Sequence, residues 1–465
     1  MSSSEQAYLT LVFADVVQES PLSTGGNRPH ELVDSPLALD GKNRPVLRGS
    51  SLAGCFIASA RALLGQLPSS ITSATTDTSQ TPSAWRFAHA HPANGNELSD
   101  FYQHVSIDRR TQAAKDDSLY NLEALPSGTR WPMCLEILPG QPASMERHEA
   151  YAAAVLQQWS QSGGMRLGKG GGHGYGWCHL ENITILRLGK EHALLWPNAL
   201  DPQRSHNEWA EYLRKAGVPA VTVPDLLQAH ASLLPAQAGR YGVHLSGEIT
   251  IGERQDAFGQ GYGVDSLSLG GHAGLQLQAQ SLHPKVIPPR GIPFKSGDFD
   301  PDFTINVDSP APGAQPAPVI PGASIRGVWR NLLERSAKAG YIEQSIVDAL
   351  FGSTEQAGCL SVAPATLADD QWRLFWQQHV AIDELTGGVY GSSKFDRLAI
   401  ADARFHWRAR VSADTQKRAE TLAKVLGDLI VMQGEGHLPL GGGIWRGHGH
   451  VRWTLDGTTT AGDAA

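Results

Sequence analysis

Alternating apolar and polar positions mark NITILRL (182–188) and VHLSGEITIG (243–252) as strands, since successive strand side chains point to opposite faces. Apolar residues at helical spacing mark FIASARALLG (56–65), HEAYAAAVLQQWSQ (148–161), NEWAEYLRKAG (207–217) and VWRNLLERSAKAG (328–340). Ser51 and Ser324 stand where an N-cap belongs, and Gly65, Gly217 and Gly340 where a helix stops. The Ser/Thr-rich stretch SSITSATTDTSQTPS (69–83) is expected to be a mobile loop.

The pattern occurs twice. VDSPLALDGKNRPVLRGSSLAG (33–54) matches VDSPAPGAQPAPVIPGASIRG (307–327), and HVSIDRRT (104–111) matches HVAIDELT (379–386). GKGGGHGYGW (168–177) matches GGGIWRGHGHV (441–451). The offsets are 274, 275 and about 272 residues, so the chain is a tandem of two related domains. The boundaries that follow are 1–190 for domain one, 191–239 for a linker with a short helix, and 240–465 for domain two. Within each copy the order strand, helix, strands, helix, strand is the ferredoxin-like α+β pattern.

Composition narrows the class. The 465 residues carry 38 basic and 46 acidic side chains, a net charge of -8, and 50 glycines without a collagen-like period. Neither half is a basic module: residues 1–190 hold 15 basic and 17 acidic groups, residues 240–465 hold 20 and 24. The balance argues against binding nucleic acid through bulk charge alone and leaves room for a local groove. Cys55, Cys134, Cys178 and Cys359 lie far apart, without zinc or disulfide spacing, as suits a reducing cytosol. No leader-like start and no run of 18 apolar residues is present, so a cytoplasmic location without a membrane partner is expected.

Chemistry concentrates in the repeated segments. The turns GSSLAG and GASIRG put small residues and amide donors at a helix start, which suits either a capped helix or a phosphate cradle. The glycine clusters lack both the G-x-G-x-x-G and the P-loop registers. They offer backbone able to approach a polyanion, with Lys169, His173, Arg446, His448 and His450 adjacent, or else tight helix–sheet packing. Asp34 and Asp308 each follow valine and precede Ser-Pro. A carboxylate so placed serves as a metal ligand, a proton acceptor or a turn former. His104 and His379 open strands in a structural role, with Asp108 and Asp383 capping the turns that follow. Tyr120 and Phe395 sit on hairpin excursions, where an aromatic either wedges between bases or joins the core.

The linked order VDSP, then G-[SA]-S-[LI]-x-G, then H-V-[SA]-I-D-x-x-T, then a glycine-rich loop resembles the RAMP superfamily of CRISPR-associated proteins. The closest likeness is to fused double backbone subunits of type III (III-D-like) effector complexes, and it covers both halves. The resemblance implies two modified RRM-like domains with thumb hairpins, carrying Tyr120 and Phe395. It implies metal-dependent cleavage of target RNA, with Asp34 and Asp308 as catalytic residues and as ligands of Mg²⁺ or Mn²⁺. It implies guide-RNA contacts through Arg48, Ser50, Ser51, Gly170, Gly172 and His173. In domain two these fall to Ser324, Arg326, Arg330, Gly442, Arg446 and His448. The partners implied are guide RNA, target RNA and other CRISPR-associated subunits. Domain one departs from the family's basic helix-opening motif, having Ala53 and Ile57 where domain two has Arg326 and Arg330, so Arg44, Arg48 or Lys42 would supply its grip. Domain two carries an expanded segment at 259–302. Two other readings stay open: an inactive guide-binding subunit, and a metal-independent guide-processing endoribonuclease using His173 or His448.

Overall fold

A computed structural model describes residues 7–26, 33–72, 74–76, 79–93, 99–108, 114–140, 144–195, 206–235, 241–252, 286–287, 307–308, 317–434, 438–444 and 447–460. Domain one contains β1 (Leu9–Gln18), α1 (Gly49–Leu64), β2 (Trp85–Phe87), β3 (Asp100–Ile107) and β4 (Ala114–Ala124). It continues with β5 (Arg130–Ile137), α2 (Met145–Trp159) and β6 (Trp177–Leu188). Its sheet runs β6-β1-β5-β2 with every pairing antiparallel, the ferredoxin-like order of two interleaved βαβ halves.

Domain two repeats the plan. β7 (Tyr241–Ile251), α5 (Gly322–Lys338), β8 (Leu360–Val362), β9 (Ala365–Leu367), β10 (Arg373–Ile382) and β11 (Val389–Ala413) precede α6 (Gln416–Gln433), β12 (Arg452–Trp453) and β13 (Gly457–Thr460). β12 and β13 pair with β7, β7 with β11, and β11 with β8 and β9. The last, first, third and second strands of the unit therefore lie side by side in both copies, as the tandem reading requires.

Each helix pair buries one face of its sheet. Phe56 of α1 meets Trp85, Phe87 and Trp159 edge-on, at centroid distances of 4.9, 5.2 and 4.9 Å. Trp329, at the same place on α5, meets Trp407 and Trp453 at 5.1 and 5.8 Å. Burying such rings accounts for much of each core's stability.

The linker does more than connect. α3 (His206–Lys215), closed by Gly217 at φ 87°, lays Trp209, Ala210 and Leu213 on the back of the domain-one sheet, against Leu9, Leu11, Phe13 and Cys134. Ala220–Val221 then adds a strand to β6, and α4 (Val223–Ala229) sends Leu226 into the domain-one core. Residues 69–83 also differ from expectation. Ser70 and Ile71 are buried, and Ala74–Thr76 pairs with Ser79–Thr81. Burial of Ile71 overrides the loop-like composition.

Both helix starts correct the capping expectation. α1 and α5 begin at Gly49 and Gly322, with Arg48 and Pro321 as N-caps and no side-chain cap bond. Ser51 and Ser324 lie inside the first turn, their amides donating to the carbonyls of Arg48 and Pro321. A Cβ on Gly49 would stand 2.2 Å from the Phe87 carbonyl oxygen, and one on Gly322 2.3 Å from that of Val362. The helices start early because glycine lets them press onto a strand. The stops at Gly65 and Gly340 occur as expected, at φ 74° and 80°.

Candidate RNA interface

The glycine-rich loops have one backbone geometry. Gly168, Gly170, Gly174 and Gly176 have positive φ, and so do Gly441, Gly443, Gly447 and Gly449, each pair 273 residues apart. Leu167 N–H donates to the Gly176 carbonyl at 2.9 Å, and Leu440 N–H to that of Gly449 at 2.9 Å. A Cβ at Gly176 or Gly449 would lie 1.8 or 1.9 Å from the Leu167 or Leu440 carbonyl oxygen. The glycine surplus is thus a requirement of backbone conformation and close approach.

In domain one three repeated motifs meet around this loop. Val33 is buried and Asp34 is exposed. Ser35 joins the thumb strand β4: its N–H donates to the Asn121 carbonyl at 3.1 Å, and its carbonyl accepts from Glu123 N–H at 3.0 Å. The Asn121 N–H donates to Asp34 Oδ2 at 2.8 Å. From the glycine loop, Lys169 Nζ donates to Ser35 Oγ at 2.9 Å, while its own N–H is held by the Ser23 carbonyl at 3.0 Å. Tyr120 stacks on His104, its register partner across the hairpin, with centroids 4.9 Å apart and planes 17° apart. His104 Nε2 and the Tyr175 hydroxyl share a 2.8 Å hydrogen bond, which ties the hairpin to the glycine loop. Tyr120 keeps 42 % of its surface exposed, as a base-stacking ring needs.

Domain two reproduces the rings with other chemistry. Phe395 stacks on His379 at 4.9 Å and 17°, and His448 takes the place of Tyr175, meeting His379 edge-on at 5.9 Å. Arg397 lies 5.9 Å over Phe395 and beside Gly443. Asp383 closes the hairpin tip as expected, accepting from the N–H groups of Leu385 and Thr386 at 3.1 and 2.8 Å. These bonds hold its carboxyl below the usual range. The backbone of Val307–Asp308 pairs with Pro318 and Ala317, so this copy of the loop runs beside that strand.

The remaining sequence candidates divide. Arg48, Ser50, Ser51 and Lys42 are exposed, whereas Arg44 is paired with Asp40 at 2.8 Å. Gly170 and Gly442 are exposed, Gly172 is half-buried within the Gly171–His173 turn, and His448 is buried. Arg326 is turned into its own domain, its Nη2 donating to the Phe351 carbonyl at 2.7 Å. Arg330 pairs with Glu334 at 3.0 Å, one turn along the helix, and Ser324 is half-buried. Arg446, the side chains of Asp308 and His173, Thr111 after Asp108, and nearly all of 259–302 lie outside the described residues.

No group of three or more His, Cys, Asp or Glu side chains fit for a metal occurs among the described residues. Asp34 nevertheless suits an ion shared with RNA. Its Oδ2 is occupied by Asn121, and its Oδ1 has no hydrogen-bond partner among the described residues. Mg²⁺ is commonly held by one or two carboxylates together with substrate phosphates and water.

The RAMP superfamily model matches residues 18–179 and 306–452, one stretch in each repeat and together about two thirds of the chain. The chain belongs to the RAMP superfamily. That membership makes it a CRISPR-associated RNA-binding protein, with RNA and other CRISPR subunits as its partners. No curated protein matches the chain. No helix among the described residues is long and apolar enough to cross a membrane. Sequence reasoning missed Asn121, Glu123 and the Lys169–Ser35 bond, because only the fold brings β4 to the VDSP loop.

Proposed function

We propose that this RAMP protein is a double backbone subunit of a type III CRISPR ribonucleoprotein that binds guide RNA and cleaves target RNA at two positions. The observation that carries the reading is that Asp34 bonds the thumb strand β4 beside the ring of Tyr120, while Lys169 of the glycine loop bonds the neighbouring Ser35. Asp308 holds the same motif position in domain two.

In this reading the ribose 2′-hydroxyl beside the scissile phosphate attacks the phosphorus, the 5′-oxygen leaves, and no protein nucleophile takes part. Asp34 uses its free Oδ1 to hold a divalent ion or to accept the hydroxyl proton. A bound Mg²⁺ or Mn²⁺ would supply charge neutralisation at the phosphate. Asn121 N–H fixes the carboxylate, Tyr120 stacks on a base, and Lys169 adds positive charge beside the backbone.

The Asn121 bond also favours a second reading, in which Asp34 only braces the loop against β4. Target fragments are mapped with the assembled guide complex in Mg²⁺ and in chelator. Asp34→Ala and Asp308→Ala should each remove one cut while guide binding persists. Asp34→Asn keeps an acceptor for Asn121 and loses the charge, so full cleavage by this variant would favour the brace. Cleavage at both positions by the double alanine variant would sink the assignment, and cutting that survives chelation would favour guide processing.

A further inference from the structure

Successive residues of a strand face opposite ways, and in domain two Val243, Leu245, Ala409 and Val411 face the helices. His244, Arg408 and Arg410 therefore share the back of the sheet, where His244 lies directly across from Arg410. This face meets domain one. Arg408 pairs with Glu19 at 2.8 Å and also touches Ser162. The loop of domain one packs on α5: a Cβ at Gly174 would stand 3.2 Å from Gly322 N, beside the positive end of that helix. Arg166, whose stem lies next to Gly171, enters the same seam and acts electrostatically on both Arg410 and His244.

Negative charge in the seam is already committed. Glu19 takes the Arg408 guanidinium, Ser162 Oγ at 2.8 Å, Gly163 N–H at 2.7 Å and His179 Nδ1 at 2.8 Å. Arg166 and Arg410 have no ion-pair partner among the described residues, and Arg410 Nε is buried without any hydrogen bond. Two like charges without a counter-ion are costly to keep in a half-buried seam. Burial and the three guanidinium groups push His244 down to about 4, so it enters neutral. Guanidinium forks match phosphate oxygens in geometry and charge.

We propose that the seam between the two repeats is a phosphate-binding site, in which Arg166 of domain one and His244 and Arg410 of domain two hold one phosphoryl group and lock the domains together. The group belongs to free phosphate or to an RNA backbone. The site is independent of target cleavage.

The full chain is titrated with inorganic phosphate at constant ionic strength, with binding followed by calorimetry and unfolding by thermal denaturation. Saturable binding that raises the melting temperature is expected. Arg166→Gln and Arg410→Gln should each weaken it by about tenfold or more. In phosphate-free buffer both variants should be at least as stable as the parent, since each relieves repulsion, and one folded variant suffices because the two lie on different domains. Absence of saturable binding, or variants that respond to phosphate as the parent does, would overturn the site. A guide-length RNA separates the sources. Weaker RNA binding by both variants, with competition by phosphate, assigns the group to the RNA backbone; unchanged RNA affinity assigns it to free phosphate. Asp34→Ala should keep the whole phosphate response, so a failed cleavage reading leaves this one standing.

Discussion

The two repeats share a backbone and differ in what they put on the back of the sheet. In domain one Leu9, Leu11, Phe13 and Cys134 are apolar, and α3 covers them. In domain two the register places His244 and Arg410 where domain one has Leu11 and Glu136, and that face turns toward domain one instead. The site loops diverge in the same way. Lys169 and Tyr175 of domain one correspond to Gly442 and His448 of domain two, on glycines of matching φ. Duplication preserved what the backbone requires and released the side chains that decide charge and contact.

The largest expected effect separates the two VDSP loops. Asp34→Ala should slow one cut by about 10²–10⁴-fold, while Asp308→Ala leaves that cut untouched; fragment mapping over time checks both. Equal loss of both cuts in either variant would break the picture of two separate sites.

Core substitutions come next. Phe56→Ala and Trp329→Ala should each cost about 3–5 kcal/mol, read from denaturant unfolding with one transition per affected domain. Loss of both domains together from either variant would show that the seam couples them fully.

The back faces differ in pH response. His244 is held near 4, below its ordinary value of about 6.5, so the unfolded chain binds a proton first as pH falls. Stability from this group is complete above pH 6.5 and is lost as pH drops toward 4, by at most about 3 kcal/mol. His244→Gln should remove that part of the acid dependence, and saturating phosphate should reduce it. Domain one has Leu11 at the matching place and contributes nothing comparable.

The smallest effect concerns the loop tie. Lys169→Ala should cost about 1 kcal/mol or less in stability, yet speed amide exchange at Ser35 and Asn121, where the VDSP loop joins β4. The matching position is already glycine in domain two, so Gly442→Ala should change nothing at β11.

Much was legible along the chain. The repeat offsets, the stops at Gly65 and Gly340, the helix at 206–215 and the order of elements all rest on local spacing and backbone freedom, which residues carry with them. Val33 inward and Asp34 outward follow from one apolar residue beside one charged residue. The capping serines were misread because a glycine two residues earlier could press against a strand, and that contact is made by residues far along the chain. Arg326 and Arg330 looked like free grips until their partners, Phe351 and Glu334, were in place.

The sequence by itself determined two copies of one α+β unit, the family, and the glycines on which its loops depend, because periodicity and conformational preference are local. Only the tertiary structure decided that Asn121 holds Asp34, that residues 206–234 complete domain one, and that Arg166, His244 and Arg410 share a seam. Those facts depend on which face of a strand meets which neighbour, and strand pairing across hundreds of residues is set by the packed whole.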